Sequence, residues 1–186
     1  MGTDHEHRVC TYAEAEAAVR RHEVVYVGDC GCRGPARDGK AKWEYCGHPV
    51  QTCMGFTRPK EASDQVDEVP RAQALEKMEA WRELGGFFRF MMDEEWVCFC
   101  CGCGCGWFRG EDGGFVTDPC AKSRHREKTD LEGCTLCGDC VEVCAWQARR
   151  IVDGRMLVEG ERCYGCSACE YACPEAAIAM VPRAGS

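Results

Sequence analysis
The 186 residues give room for one or two small domains, and 19 of them are cysteine. Leu, Ile, Val and Phe together number only 29. That is under the roughly 20 % that ordinarily sustains an apolar core, so metal–thiolate bonding is expected to supply the missing stability. The metal-free chain is expected to be largely unfolded. The net charge of −8 is evenly spread and argues against a nucleic-acid partner, which needs a basic face. No apolar run reaches the roughly 18 residues of a membrane span.

Disulfides are the competing use of so many thiols, and they need an oxidising compartment. Met1–Cys10 has no apolar segment of the kind a secretory leader carries, and the cysteine count is odd. The expected setting is therefore cytoplasmic and reducing, with the thiols on metal.

Residues 11–22 are rich in helix formers, with Thr11 placed to cap the helix. Val24–Val27 reads as a short buried strand ending at Gly28, and it delivers Cys30-Gly31-Cys32-Arg33. A loop follows, then Cys46 and Cys53, with His48 between them read as a structural loop histidine. Residues 58–69 are polar and expected to be mobile. Residues 70–84 read as a second helix, with Pro70 in its tolerant first turn, Gly85-Gly86 as its stop and Leu75, Met78 and Leu84 as its apolar stripe. Residues 87–90 and 96–99 read as two strands around a turn. The second runs into Cys98, Cys100, Cys101, Cys103 and Cys105. Glycines at 102, 104 and 106 make that string a loop whose N–H groups can form a nest for a sulfide- or thiolate-rich anion. Cys10 and Cys120 stand apart. Residues 110–127 read as a linker. Its basic stretch, Lys122, Arg124, His125, Arg126 and Lys128, is either solvated or a docking patch for an acidic redox partner.

The last third is an internal repeat. Cys134, Cys137, Cys140 and Cys144 recur, each shifted by 29 residues, as Cys163, Cys166, Cys169 and Cys173. Between the copies, 151–158 reads as a hairpin, with Asp153-Gly154 suited to a primed turn. Each copy spells C-x2-C-x2-C-x3-C. Three close cysteines can hold three corners of a 4Fe–4S cube, while the fourth, a helical turn later, serves the other cube. On that logic Cys134, Cys137, Cys140 and Cys173 hold one cluster, and Cys163, Cys166, Cys169 and Cys144 hold the other. Structural zinc prefers two C-x2-C pairs across a longer loop and does not suit a third cysteine in each loop.

This repeat resembles the two-cluster bacterial ferredoxins over about 55 residues and at all eight ligand positions. The resemblance implies a βαββαβ module with a pseudo-twofold axis and a low reduction potential. Ala145 stands where that family often has proline. Glycines and small residues at 138, 165 and 167–168 let backbone N–H groups reach the cluster sulfurs, which tunes the potential.

The amino-terminal set, Cys30, Cys32, Cys46, Cys53, Cys98, Cys100, Cys101, Cys103 and Cys105, is the second candidate metal site. Over residues 10–110 it resembles the domain that precedes ferredoxin modules in a poorly characterised group of bacterial and archaeal iron–sulfur proteins. The matching elements are Cys30-Gly31-Cys32-Arg33, Cys46 to Cys53, and Cys98 to Cys105. That resemblance implies a metal centre and no particular reaction. Three readings stay open for the set: a further iron–sulfur cluster, structural zinc, or thiols for redox sensing or persulfide handling. The favoured ligands are Cys30 and Cys32 with members of the 98–105 string, then Cys46 and Cys53. Arg33 offsets thiolate charge or makes a surface ion pair. Trp43, Trp81, Trp96, Trp107 and Trp146 read as packing that shields clusters from water.

No nucleotide-binding, hydrolase or metalloprotease motif is present. The chain reads as α+β: a cysteine-rich domain over 1–120, a linker over 121–127 and a ferredoxin domain over 128–186. The expected function is electron transfer by two 4Fe–4S clusters and a further centre, with an oxidoreductase as partner. The alternatives are a small reductase or activating enzyme with an open iron site, and a redox or metal sensor. No catalytic residue is assigned.

Overall fold
The computed structural model describes residues 7–30, 47–59, 66–103, 105 and 120–183. Six antiparallel strands form one sheet: β1 (Arg8–Cys10), β2 (Val24–Asp29), β3 (Gln51–Gly55), β4 (Val66–Pro70), β5 (Phe87–Met91) and β6 (Trp96–Cys100). Their order across the sheet is β1-β5-β6-β3-β2-β4. Because side chains alternate across a strand, the register sorts this sheet into two faces. Cys10, Val25, Val27, Met54, Phe88, Phe90, Val97 and Phe99 line one face and are buried under two helices. Val9, Cys53, Phe87, Arg89, Cys98 and Cys100 belong to the other.

Helix α1 (Tyr12–Arg20) starts as the sequence dictates. Thr11 and Glu14 form a reciprocal capping box, and α1 buries Tyr12, Ala15, Ala18 and Val19. Helix α2 (Arg71–Glu83) begins one residue later than expected, with Pro70 as its N-cap. It packs through Ala74, Met78 and Trp81. Leu84, expected in the stripe, is 45 % exposed because it lies beyond the helix. The expectation of a weak core also needs correction. Residues 7–105 carry a real one, built from Val, Phe, Met, Ala and Trp rather than from Leu or Ile.

Two further expectations fail on strand pairing. Strand β4, whose first four residues lie in the segment expected to be mobile, is held against β2 from Val24↔Pro70 to Gly28↔Val66. Three residues of the expected linker open β7 (His125–Thr129), which pairs with β10 (Ile178–Pro182). Ahead of it, the Ala121 amide and carbonyl bond His7 and Val9, tying this stretch to β1.

After β7 come α3 (Asp139–Glu142), β8 (Arg149–Val152), β9 (Arg155–Val158), α4 (Ala168–Tyr171) and β10. Asp153 and Gly154 both have positive φ, 49° and 71°, as a primed hairpin turn between β8 and β9 requires. The segment docks onto α1 and α2. The Tyr12 amide donates to Ser167 Oγ at 2.8 Å, so a first-turn N–H of α1 is capped from the far end of the chain. Tyr171 donates to Glu79 at 2.7 Å and packs edge-on to Tyr12.

Candidate metal centres
The 29-residue repeat is written in the backbone as well as in the cysteines. Leu136 and Gly165, Gly138 and Ser167, and Gln147 and Ala176 are each separated by 29 positions, and all six have positive φ. These left-handed residues fold each loop back so that its cysteines converge. At Gly165 only glycine fits, since a Cβ would stand 2.0 Å from the His125 carbonyl oxygen.

Two cavities result. Cys163, Cys166 and Cys169 line one of about 370 Å3, solvent at its mouth included, together with Cys144 from the first copy. Cys134, Cys137 and Cys140 line another of about 320 Å3, measured the same way, together with Cys173 from the second copy. The fourth cysteine of each copy thus stands in the other copy's cavity.

The electrostatics suit a cationic metal core. Burial and the neighbouring Cys169 push the Cys166 thiol far up. Cys169 is pushed up to about 12 by burial, against the pull of Arg149. Burial raises Cys144 too, although the Ala148 amide donates to its sulfur at 3.3 Å. Thiols that resist ionisation by burial and mutual repulsion become thiolates when a metal neutralises them. The donor set therefore fits an iron–sulfur cluster. Buried Arg149 lines the cavity of Cys163, Cys166 and Cys169 and also interacts with Cys140 of the other. Its guanidinium donates to Glu127 at 2.9 Å and Thr129 at 2.8 Å, and lies 3.9 Å from Cys169 Sγ. Burial would lower its pKa, but Cys169, Glu127 and Cys140 hold it charged.

The comparison with known families bears on this segment. Residues 133–177 match the 4Fe-4S dicluster domain. None of the curated proteins compared with the chain matches it. The dicluster match and the cysteine content make this a cysteine-rich, metal-binding iron–sulfur protein. The amino-terminal cysteines lie outside the match. No helix among the described residues is long and apolar enough to cross a membrane.

The sheet gathers most of those amino-terminal cysteines. Cys53 on β3 stands opposite Cys98 on β6, which stands opposite Arg89 on β5. Cys100 shares their face. Cys30, just past β2 and fixed by its amide to the Val50 carbonyl at 2.8 Å, joins them, as does Cys105. The Cys53 thiol is lowered by a hydrogen bond with Cys30, but Cys98 and burial drive it well up. Cys98 is raised: its hydrogen bond with Cys53 lowers it, and burial and Cys100 outweigh that. Burial opposes the charge on buried Arg89, and Cys100, Cys105, Cys98 and Cys120 sustain it. Arg89 and Cys120 were not anticipated from sequence: the register of β5 with β6 brings Arg89 to this face, and the bridge of Ala121 to Arg8 leaves Cys120 packed beside it. Cys10 is buried on the opposite face. Cys101 and Cys103 lie apart from the group, beside His48. Cys32, Arg33 and Cys46, with Trp43 and Trp107, lie outside the described residues.

Dicluster segment and amino-terminal set share one apolar cluster. Trp146 packs on Phe87 at 4.4 Å and stacks on Tyr164 at 4.7 Å. Cys30, Cys53, Cys98 and Cys100 belong to that cluster, and Cys166 packs against it.

Proposed function
We propose that the chain is a multi-cluster electron carrier. Cys134, Cys137, Cys140 and Cys173 would hold one 4Fe–4S cluster, and Cys163, Cys166, Cys169 and Cys144 a second. Cys30, Cys53, Cys98, Cys100 and Cys105 would hold a further iron–sulfur centre, Cys32 and Cys46 remaining candidates. The observation that carries the reading is the exchange of Cys144 and Cys173 between two four-thiol cavities inside the dicluster match. The order strand, helix, strand, strand, helix, strand over 125–182 supports the βαββαβ ferredoxin arrangement. Bound there, 4Fe–4S clusters supply reversible one-electron transfer.

The chain's own groups do the rest. Arg149 and Arg89 set buried positive charge beside the thiolates and favour the added electron. Trp146, Phe87 and Tyr164 exclude water between the cavity of Cys163, Cys166 and Cys169 and the amino-terminal set. Arg124, Arg126 and Lys128 are exposed along and just before β7 and would meet an acidic redox partner.

The test is metal and sulfide analysis of the anaerobically reconstituted full chain, with spin resonance after reduction. About eight iron and eight sulfide are expected from the dicluster segment, with further iron that Cys98→Ser removes. Zinc in place of iron at Cys134–Cys173 would overturn the reading. Iron unchanged in Cys98→Ser would confine electron transfer to the dicluster segment.

A further inference from the structure
We propose that His48, Cys101 and Cys103 form a separate zinc site at the rim of the sheet, independent of the thiols around Arg89. The donor atoms of the three residues lie within 4.8 Å of one another. His48 Nδ1 stands 3.5 Å from Cys103 Sγ. Zn–N near 2.05 Å and Zn–S near 2.3 Å at a tetrahedral angle give an N···S edge of about 3.5 Å. The gap between imidazole and thiol is therefore already the edge of a zinc tetrahedron.

The orientation of the ring is a second observation. His48 Nε2 lies 3.3 Å from the Leu84 carbonyl oxygen, just past α2. A carbonyl only accepts, so Nε2 carries the proton and Nδ1 presents its lone pair to the two thiols. A backbone acceptor on the far nitrogen is the outer-shell arrangement that fixes the tautomer and aim of a ligating histidine.

The strand geometry separates this site from the buried set. Cys98 and Cys100 point to the Arg89 face of β6, and Phe99 to the other. Cys101, the next residue, continues on the Phe99 side. The His48 ring is there too, 6.4 Å from the Phe99 ring. Adjacent cysteines in the sequence thus serve different sites.

Mixed imidazole and thiolate donors suit zinc. Two thiolates, a neutral imidazole and Zn2+ sum to no net charge, which matters because Cys101 is buried. Cys103 is exposed, and the group holds three protein donors among the described residues, so the fourth position is assigned to water. The ion would clip the loop that carries Cys105 to the segment before β3 and to the end of α2.

The experiment uses the full chain, grown with zinc, loaded anaerobically with iron and sulfide, and dialysed. Zinc and iron are counted, and zinc K-edge absorption reads the donor atoms. About one zinc per chain is expected, bound by two sulfurs and two nitrogen or oxygen atoms. His48→Ala and Cys103→Ser should each weaken zinc at least ~100-fold, beyond the 10–100-fold that outer-shell changes cost, and leave iron unchanged. Cys98→Ser should keep the zinc, and that variant also separates failure of this site from failure of the amino-terminal iron centre. Cys103→His retains a zinc ligand and should retain the ion, which guards against simple misfolding. Wild-type protein without zinc would reduce the contact to a thiol–imidazole hydrogen bond. Zinc with four sulfurs, or iron lost in His48→Ala, would equally overturn the proposal.

Discussion

Arg149→Ile replaces a buried cation by the residue its repeat partner carries, since Ile178 lies 29 positions on and is buried in the same way. The Arg149 guanidinium is 3.9 Å from Cys169 Sγ. The centre of a cube ligated by that sulfur would stand roughly 6 Å from the charge, where an added electron gains about 3 kcal/mol at an effective dielectric of 20. At about 59 mV per 1.4 kcal/mol for one electron, this corresponds to some 120 mV. Water admitted to the space the guanidinium leaves would screen part of that. The potential of the Cys163–Cys169 cluster should therefore fall by about 50–120 mV. The Cys134–Cys140 cluster should fall by less, because Arg149 reaches it through Cys140. Losing one partner of a buried pair costs ~3–5 kcal/mol, so iron content must be shown intact before potentials are compared. Arg149→Ile with Glu127→Gln removes both charges and should recover roughly half the shift, while Arg149→Lys should keep most of the wild-type potential. The assay is a redox titration followed by spin resonance. A change below about 20 mV at both clusters, or a rise at either, would refute the reasoning.

Two other outcomes follow from the same geometry. Cys144→Ser should damage the cluster held by Cys163, Cys166 and Cys169, and Cys173→Ser the one held by Cys134, Cys137 and Cys140, as cluster-resolved spectroscopy of each variant will show. Damage to the sequence-local cluster in both would contradict crossed ligation. Trp146→Ala empties the space between Phe87 and Tyr164 and should cost ~3–5 kcal/mol in denaturant unfolding of the loaded protein. A loss below about 1 kcal/mol would mean that this contact does not hold the dicluster segment to the sheet.

What the sequence determined by itself is local. Cluster chemistry demands ligands at fixed short spacings, so the duplicated cysteines were legible without a fold. Thr11 as a helix cap, and Asp153 with Gly154 as a turn, were legible for the same reason, because caps and tight turns are closed within four residues. Strands β1, β3 and β4 were not, since they are short, and β1 and β4 lie at the sheet edges, so their pairing rests on distant partners. The amino-terminal site is of that second kind. Cys53, Cys98 and Arg89 meet because three strands align in one register, and a one-residue slip would send any of them to the opposite face. The same alternation parts Cys101 from Cys100 and hands it to His48, a grouping that no spacing rule contains. Only the tertiary structure could decide it, because the loop before β3, the end of α2 and the end of β6 meet there across more than fifty residues of chain.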